Sequence, residues 1–177
     1  MGEVISLQKI REVDKTLNDF LKEAHDCNLS FKLDNPISVL NPNDFVMIFR
    51  NRAFQEICKR GMINTEAFIC VTYVAEILKE IMFQAKKSWI VSDYLIKAQK
   101  NNNPRLLREA ANICFLICAV FPKRANWRLM NKDFYQNSGA MCYYSYYLKT
   151  QKSFAYYMNK NFKDIVNLTA FILASFK

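Results

Sequence analysis

Apolar side chains dominate the stretch from Arg105 to Arg124, where they form two neighbouring stripes at helical spacing. One stripe falls at positions 106, 110, 113, 117 and 120, and the other at positions 107, 111, 114, 118 and 121. A helix that is apolar around most of its circumference belongs at the centre of a packed bundle. The stretch is shorter than the roughly 20 residues that span a bilayer, and Pro122 disfavours helical geometry in the residue before it. The pattern therefore predicts a buried central helix over about 105–121.

Helical spacing of apolar residues continues on both sides of this central segment. It predicts further helices over roughly 44–60, 65–87, 92–101, 131–148 and 152–175. The candidate caps and stops are Asn43 or Asp44 before the first of these, Gly61 after it, and Asn64 or Thr65 before the second. No stretch alternates with a period of two, and the sequence has no internal repeat. The fold class that follows is all-α, a single-domain bundle of six to seven helices.

The N-terminal 25 residues have their own pattern, with apolar side chains three or four positions apart and charges of alternating sign between them. This pattern predicts an amphipathic helix over 1–25. Periodicity fades between 26 and 43, where two Asn-Pro pairs act as breakers. A chain of 177 residues suits one domain with a sizeable core. We therefore expect a single helical domain over 1–177, in which a long linker, 26–43, joins the N-terminal helix to a helical core, 44–177.

Six cysteines bear on the compartment of the protein, and they lie at positions 27, 58, 70, 114, 118 and 142 without Cys-x-x-Cys spacing. Four of them lie in strongly apolar helical patterns, which indicates small buried side chains in a reducing compartment rather than a disulfide or metal framework. The N-terminal segment is charged and has no uninterrupted apolar run, unlike a secretory signal. These features predict a cytoplasmic protein.

The positive charge of the chain is concentrated in its C-terminal half. Residues 1–93 contain 12 Lys and Arg against 13 Asp and Glu, whereas residues 94–177 contain 13 against three. Such a field favours acidic partners, whether nucleic acid, anionic lipid or an acidic protein. The alternative is that the basic residues only keep an aromatic-rich half of the chain in solution.

Residue types that commonly carry catalysis are scarce or scattered. The single histidine, His25, lies at the end of the predicted N-terminal helix, where a surface position is typical. Glu76 and Glu80 share a helix face but lack the Glu-x-x-His companions of di-metal bundles, which favours a solvated face. Cys114 and Cys118 have the same spacing, and apolar surroundings disfavour the thiolate that redox chemistry needs. No phosphate loop, nucleophile elbow or zinc spacing is present, so we expect no catalytic residue, no cofactor and no metal.

Aromatic and basic residues near position 130 form the candidate binding site. Tyr135, Gly139, Tyr143 and either Tyr146 or Tyr147 make one stripe on the predicted helix. A glycine inside a helix costs about 1 kcal/mol relative to alanine, so we expect Gly139 to allow close helix packing. Arginines beside aromatic rings can hold an acidic or π-faced ligand. The candidate ligand-binding residues are therefore Arg124, Trp127, Arg128, Tyr135 and Tyr143. In the alternative, Arg124 caps the central helix and Trp127 packs on the core.

One set of motifs resembles a known family. It comprises Leu107-Arg108-Glu109, Phe121-Pro122-x-Arg124, Phe134-Tyr135-x-x-x-Gly139-x-x-x-Tyr143 and the helical hairpin over 56–81. Over roughly 45–177 the chain is similar to a family of uncharacterised bacterial all-helical proteins. Where that family tends to have a Tyr-Tyr pair and an alanine before the last tyrosine, this chain has Phe134-Tyr135 and Cys142. The resemblance implies an all-helical fold and a bacterial origin, and it supplies no catalytic residue.

Two classes of function remain open on these grounds. The first is a non-catalytic interaction or structural module whose basic C-terminal half contacts a protein partner or a second copy of the chain in a homodimer. The second is binding of a small ligand, with or without chemistry, in the Tyr- and Arg-lined pocket. Non-specific binding of nucleic acid or another anion is a further alternative. The scarcity of histidines and clustered carboxylates favours the first class.

Overall fold

Seven helices account for nearly all of the chain that the structure describes. The computed structural model describes residues 41–62, 64–83, 91–120 and 131–175. Its helices are α1 (Pro42–Lys59), α2 (Thr65–Phe83), α3 (Val91–Asn101), α4 (Pro104–Val120), α5 (Lys132–Thr150), α6 (Ser153–Lys160) and α7 (Phe162–Ala174). Those ranges contain no strand. The prediction of an all-α bundle is confirmed.

The first turn of α1 is capped by Asn41, whose side-chain oxygen accepts a hydrogen bond of 2.7 Å from the Asn43 backbone N–H. The predicted cap, Asn43 or Asp44, is wrong by two or three positions. Pro42 explains the difference, because its fixed φ and missing N–H suit the first helical position. The cap of α2 is Asn64, as predicted, and its side-chain oxygen accepts from the Ala67 N–H at 2.7 Å.

The turn after α1 is a Schellman motif around Gly61. The Met62 N–H donates to the Ile57 carbonyl at 3.0 Å, and the Gly61 N–H donates to the Cys58 carbonyl at 3.1 Å. Gly61 has a φ of 67°, which glycine adopts without steric cost. The predicted stop at Gly61 is therefore confirmed, and it folds α1 and α2 into a helical hairpin.

Helix α4 lies at the centre of the bundle. Its eleven consecutive residues from Glu109 to Ala119 are all buried. It packs against α3, α5 and α7, while the α1–α2 hairpin packs on α6 and α7. The predicted central helix over about 105–121 is confirmed as far as Val120. The stop predicted at Phe121-Pro122 lies outside the described residues.

The C-terminal segment forms two helices where the sequence predicts one over 152–175. Asn161 separates α6 from α7, and its side-chain amide donates to the Tyr157 carbonyl at 3.0 Å. Asparagine side chains compete with the helical backbone in this way, which explains the break. The predictions for residues 1–40 and for the end of the second helix at 84–87 lie outside the described residues. No described helix combines the length and the apolar character needed to cross a membrane.

Candidate functional site

The tyrosine stripe of α5 faces the interior of the bundle. Tyr135, Gly139, Tyr143 and Tyr146 are all buried, whereas Tyr147 is half-buried at the side of the helix. These buried positions face the helices that pack on α5, chiefly α4 and α6. The stripe therefore belongs to the core, and its last member is Tyr146 rather than Tyr147.

Gly139 lies where α5 meets α4 and α7. A Cβ atom added at this position would lie 2.8 Å from the Cβ of Cys114 on α4 and 2.5 Å from the Cζ of Phe162 on α7. The Phe162 ring is itself held by Phe115, with an edge contact at a centroid distance of 5.7 Å. Any side chain at 139 would therefore have to displace a packed ring and a neighbouring helix.

The hydroxyl of Tyr143 belongs to a polar cluster inside the bundle. The members of this cluster are Tyr73, Arg108, Glu109, Asn112 and Tyr143. Both phenol hydroxyls, from Tyr73 on α2 and Tyr143 on α5, donate to the side-chain oxygen of Asn112 at 2.8 Å. One asparagine on the central helix thus joins three helices. Since buried polar atoms are costly without partners, these two hydrogen bonds hold the three helices in one arrangement.

Burial also fixes the protonation state of these phenols. It raises the pKa of Tyr73 far above its usual value, and it raises the pKa of the fully buried Tyr143 as well. Both hydroxyls therefore stay protonated and act as hydrogen-bond donors. A phenol that keeps its proton does not act as a general base near neutral pH.

The same cluster contains an ion pair. The Arg108 guanidinium lies 3.1 Å from the Glu109 carboxylate, and their side chains are 30% and 11% exposed. Burial acts to lower the pKa of Arg108, but the hydrogen bond and the charge of Glu109 act to raise it, and the pKa is raised on balance. The cavity that Glu109 and Asn112 line holds only about 10 Å³, which is the space of a single water molecule. That cavity has no room for a larger ligand.

The structure describes two of the five candidate ligand-binding residues. Tyr135 and Tyr143 are 3% and 0% exposed. Arg124, Trp127 and Arg128 lie outside the described residues. A pocket built from all five stays a prediction.

The structure also describes both glutamates and five of the six cysteines that the sequence analysis discussed. Glu76 is exposed and Glu80 half-buried, and no group of three or more possible metal ligands occurs within the described ranges. Cys70, Cys114, Cys118 and Cys142 are buried, and burial raises the pKa of Cys118 to about 12. His25 and Cys27 lie outside the described residues.

A feature that the sequence analysis missed lies on the opposite side of α5. Met141, Tyr144 and Leu148 are 59%, 37% and 54% exposed, and their spacing of three and four residues places them on one helical face. We call these three residues the α5 apolar face. Tyr156 of α6 is 40% exposed and packs on Tyr147 beside this face, with a centroid distance of 5.3 Å. Met141, Tyr144 and Leu148 thus form an exposed apolar stripe along α5.

Two lysines lie at one end of the α5 apolar face. Lys149 and Lys152 are exposed at its C-terminal end, and the Lys149 ammonium donates to the side chain of Asn102 at 2.7 Å. The C-terminal end of the face therefore has two exposed lysines next to its apolar stripe.

Comparisons with protein-family models, with curated proteins and with solved structures found no match to this chain.

Proposed function

We propose that this protein is a non-catalytic interaction module and that its α5 apolar face binds an amphipathic helix with acidic flanks from a partner protein. The observation that carries the proposal is the exposure of Met141, Tyr144 and Leu148 on one helical face. Apolar anchors at this spacing fit a second helix laid along the first, as in helix-in-groove recognition and coiled-coil seams.

The charge next to the face supports an acidic partner. Lys149 and Lys152 are both exposed at one end of the face. Complementary charges would steer such a partner and fix its orientation, while the apolar contacts would supply most of the affinity. The exposed tyrosines and the methionine can adapt to the partner, since such side chains are common at binding surfaces.

The rigidity of the support also favours a binding role. The inner side of α5 is fixed by the Tyr143 hydroxyl on Asn112 and by the contacts of Gly139 with Cys114 and Phe162. A helix held in this way loses little freedom when its outer side is covered, which lowers the cost of binding.

A peptide titration tests this proposal. The probe is a fluorescent helical peptide of about three heptads, with leucine at its seam positions and glutamate at its flanks. A sister peptide carries lysine in place of glutamate. We expect saturable binding of the glutamate peptide, weaker at about 200 than at about 50 mM salt, and much weaker binding of the lysine peptide. Equal binding of the two peptides would contradict the acidic partner, and no binding of either would contradict the module.

Single-stranded nucleic acid is the alternative occupant. Exposed Tyr144 and Tyr156 beside lysines could stack bases. A titration with single-stranded RNA at the same two salt concentrations tests this alternative. Binding that falls by about 10³ between them, as expected when about six phosphates are engaged, would replace the peptide proposal.

Self-association is the other outcome to be measured. If the α5 apolar face binds a second copy of the chain, the mass from light scattering will double as the concentration rises.

The free, buried cysteines of the core support the cytoplasm as the compartment. Membership of the bacterial all-helical family likewise remains a proposal, based on the motifs given above.

A further inference from the structure

A groove between α1 and α2 lies apart from the α5 apolar face and holds about 350 Å³. That volume is at the lower end of the range of small-molecule sites. Its walls are made by Asn43, Val46, Met47, Arg50, Asn51 and Phe54 of α1 and by Glu76 and Lys79 of α2. The groove therefore combines two cations, one carboxylate, two amides and three apolar side chains.

Arg50 is the most informative residue of this groove. Its guanidinium lies over the Phe54 ring, 5.7 Å from the centroid. Its Nε is buried and has no hydrogen-bond acceptor, and within the described ranges the side chain makes no ion pair. A buried donor without an acceptor is costly. An oxygen brought by a ligand would relieve that cost, because the guanidinium can turn to present a fork of donors to a carboxylate.

Lys79 supplies a second, fixed cation on the opposite wall. Its ammonium donates to the side-chain oxygen of Asn43 at 2.9 Å, which leaves further N–H donors for a ligand. With Glu76 as the one acidic residue in the walls, the formal charge of the lining is +1. That charge matches a monoanion better than a phosphate dianion.

The apolar part of the groove sets the rest of the ligand. Phe54 offers a ring face, and Met47 is 56% exposed and flexible enough to close over a ligand. We propose that the α1–α2 groove binds a small monocarboxylate with an apolar or aromatic body, its carboxylate held by Arg50 and Lys79. This binding is independent of the helix docking proposed for α5.

The test is a titration of the full chain with four probes, followed by amide chemical shifts. The probes are benzoate, hexanoate, acetate and the neutral benzamide. We expect benzoate and hexanoate to bind with Kd on the order of 1 mM, with shifts centred on α1 and α2. Acetate and benzamide should each bind at least tenfold more weakly, because one lacks the apolar body and the other the charge.

Two variants and one control assign the binding to the groove. Arg50→Gln and Lys79→Gln should each weaken benzoate binding at least fivefold. Arg52→Gln is the matched control, because Arg52 lies on the same helix but bonds to Ser175 and does not line the groove. The affinity of the Arg52→Gln variant for benzoate should be unchanged. Melting temperatures show which variants stay folded. If Arg50→Gln does not stay folded, the result for Lys79→Gln decides the outcome.

Several results would overturn the inference. If benzamide binds as tightly as benzoate, the groove does not recognise the carboxylate charge. If acetate binds as tightly as hexanoate, the apolar side chains of the groove do not contribute to binding. Absence of saturable binding at about 20 mM benzoate, well above the expected Kd, or unchanged binding in Lys79→Gln, would remove the site.

Discussion

Gly139 sets how closely α5 can approach its neighbours. We expect Gly139→Ala to destabilise the fold by about 1–3 kcal/mol, although alanine is the better helix former, because the new Cβ would meet Cys114 and Phe162 at less than 3 Å. Gly139→Leu should cost at least as much. Urea unfolding at constant m-value measures the change.

The control for Gly139 is Asn137→Ala, at an exposed position of the same helix. It should be neutral or stabilise the fold by a few tenths of a kcal/mol, since it adds helix propensity without a new contact. If Gly139→Ala stabilises the protein as Asn137→Ala does, the close contact with Cys114 and Phe162 is wrong.

The partners of a core residue are harder to predict than its burial. The glycine in a tyrosine-rich helix predicts close packing at 139, but nothing in the sequence names Cys114 and Phe162 as the neighbours. Similarly, Asn112 lies in an otherwise apolar helix without a local signal that it joins Tyr73 and Tyr143. Such contacts depend on the relative positions of whole helices, which are set by long-range packing.

At the scale of elements, α4 organises the bundle. Ile117 on this helix is 2% exposed. We expect Ile117→Ala to destabilise the fold by about 2–5 kcal/mol, because it removes buried methyl groups and leaves a cavity. Leu148→Ala, at a position that is 54% exposed, should change stability by less than about 0.5 kcal/mol. Denaturant unfolding of both variants compares them, and a cost below half a kcal/mol for Ile117→Ala would contradict the central position of α4.

The sequence predicts α4 well and α5 to α7 less well, for reasons that differ between elements. Helix α4 has two adjacent apolar stripes, so it is apolar around most of its circumference and has to be buried. Helix α5 has two opposed stripes of large side chains, and periodicity alone cannot decide which of them is exposed. The break at Asn161 was missed because apolar spacing continues across it, from Met158 to Phe162 and Ile165.

At the scale of the molecule, a buried polar cluster and an exposed apolar face lie on opposite sides of the same helix. The cluster fixes α5 in place, and the outer face of α5 is then free to bind. Lys149 and Lys152 add positive charge at one end of that face. Together these features favour a rigid module that recognises an acidic helix.

The most direct test of this account is the affinity of the glutamate peptide for the double variant Met141→Asn, Leu148→Asn, measured by fluorescence anisotropy. Because both positions are exposed, the variant should stay folded. Phe171→Asn is the matched control, since Phe171 is 53% exposed on α7. The account predicts at least a tenfold loss of affinity, about 1.4 kcal/mol, for the double variant and none for Phe171→Asn. Equal affinities of the wild-type protein and the double variant would contradict it.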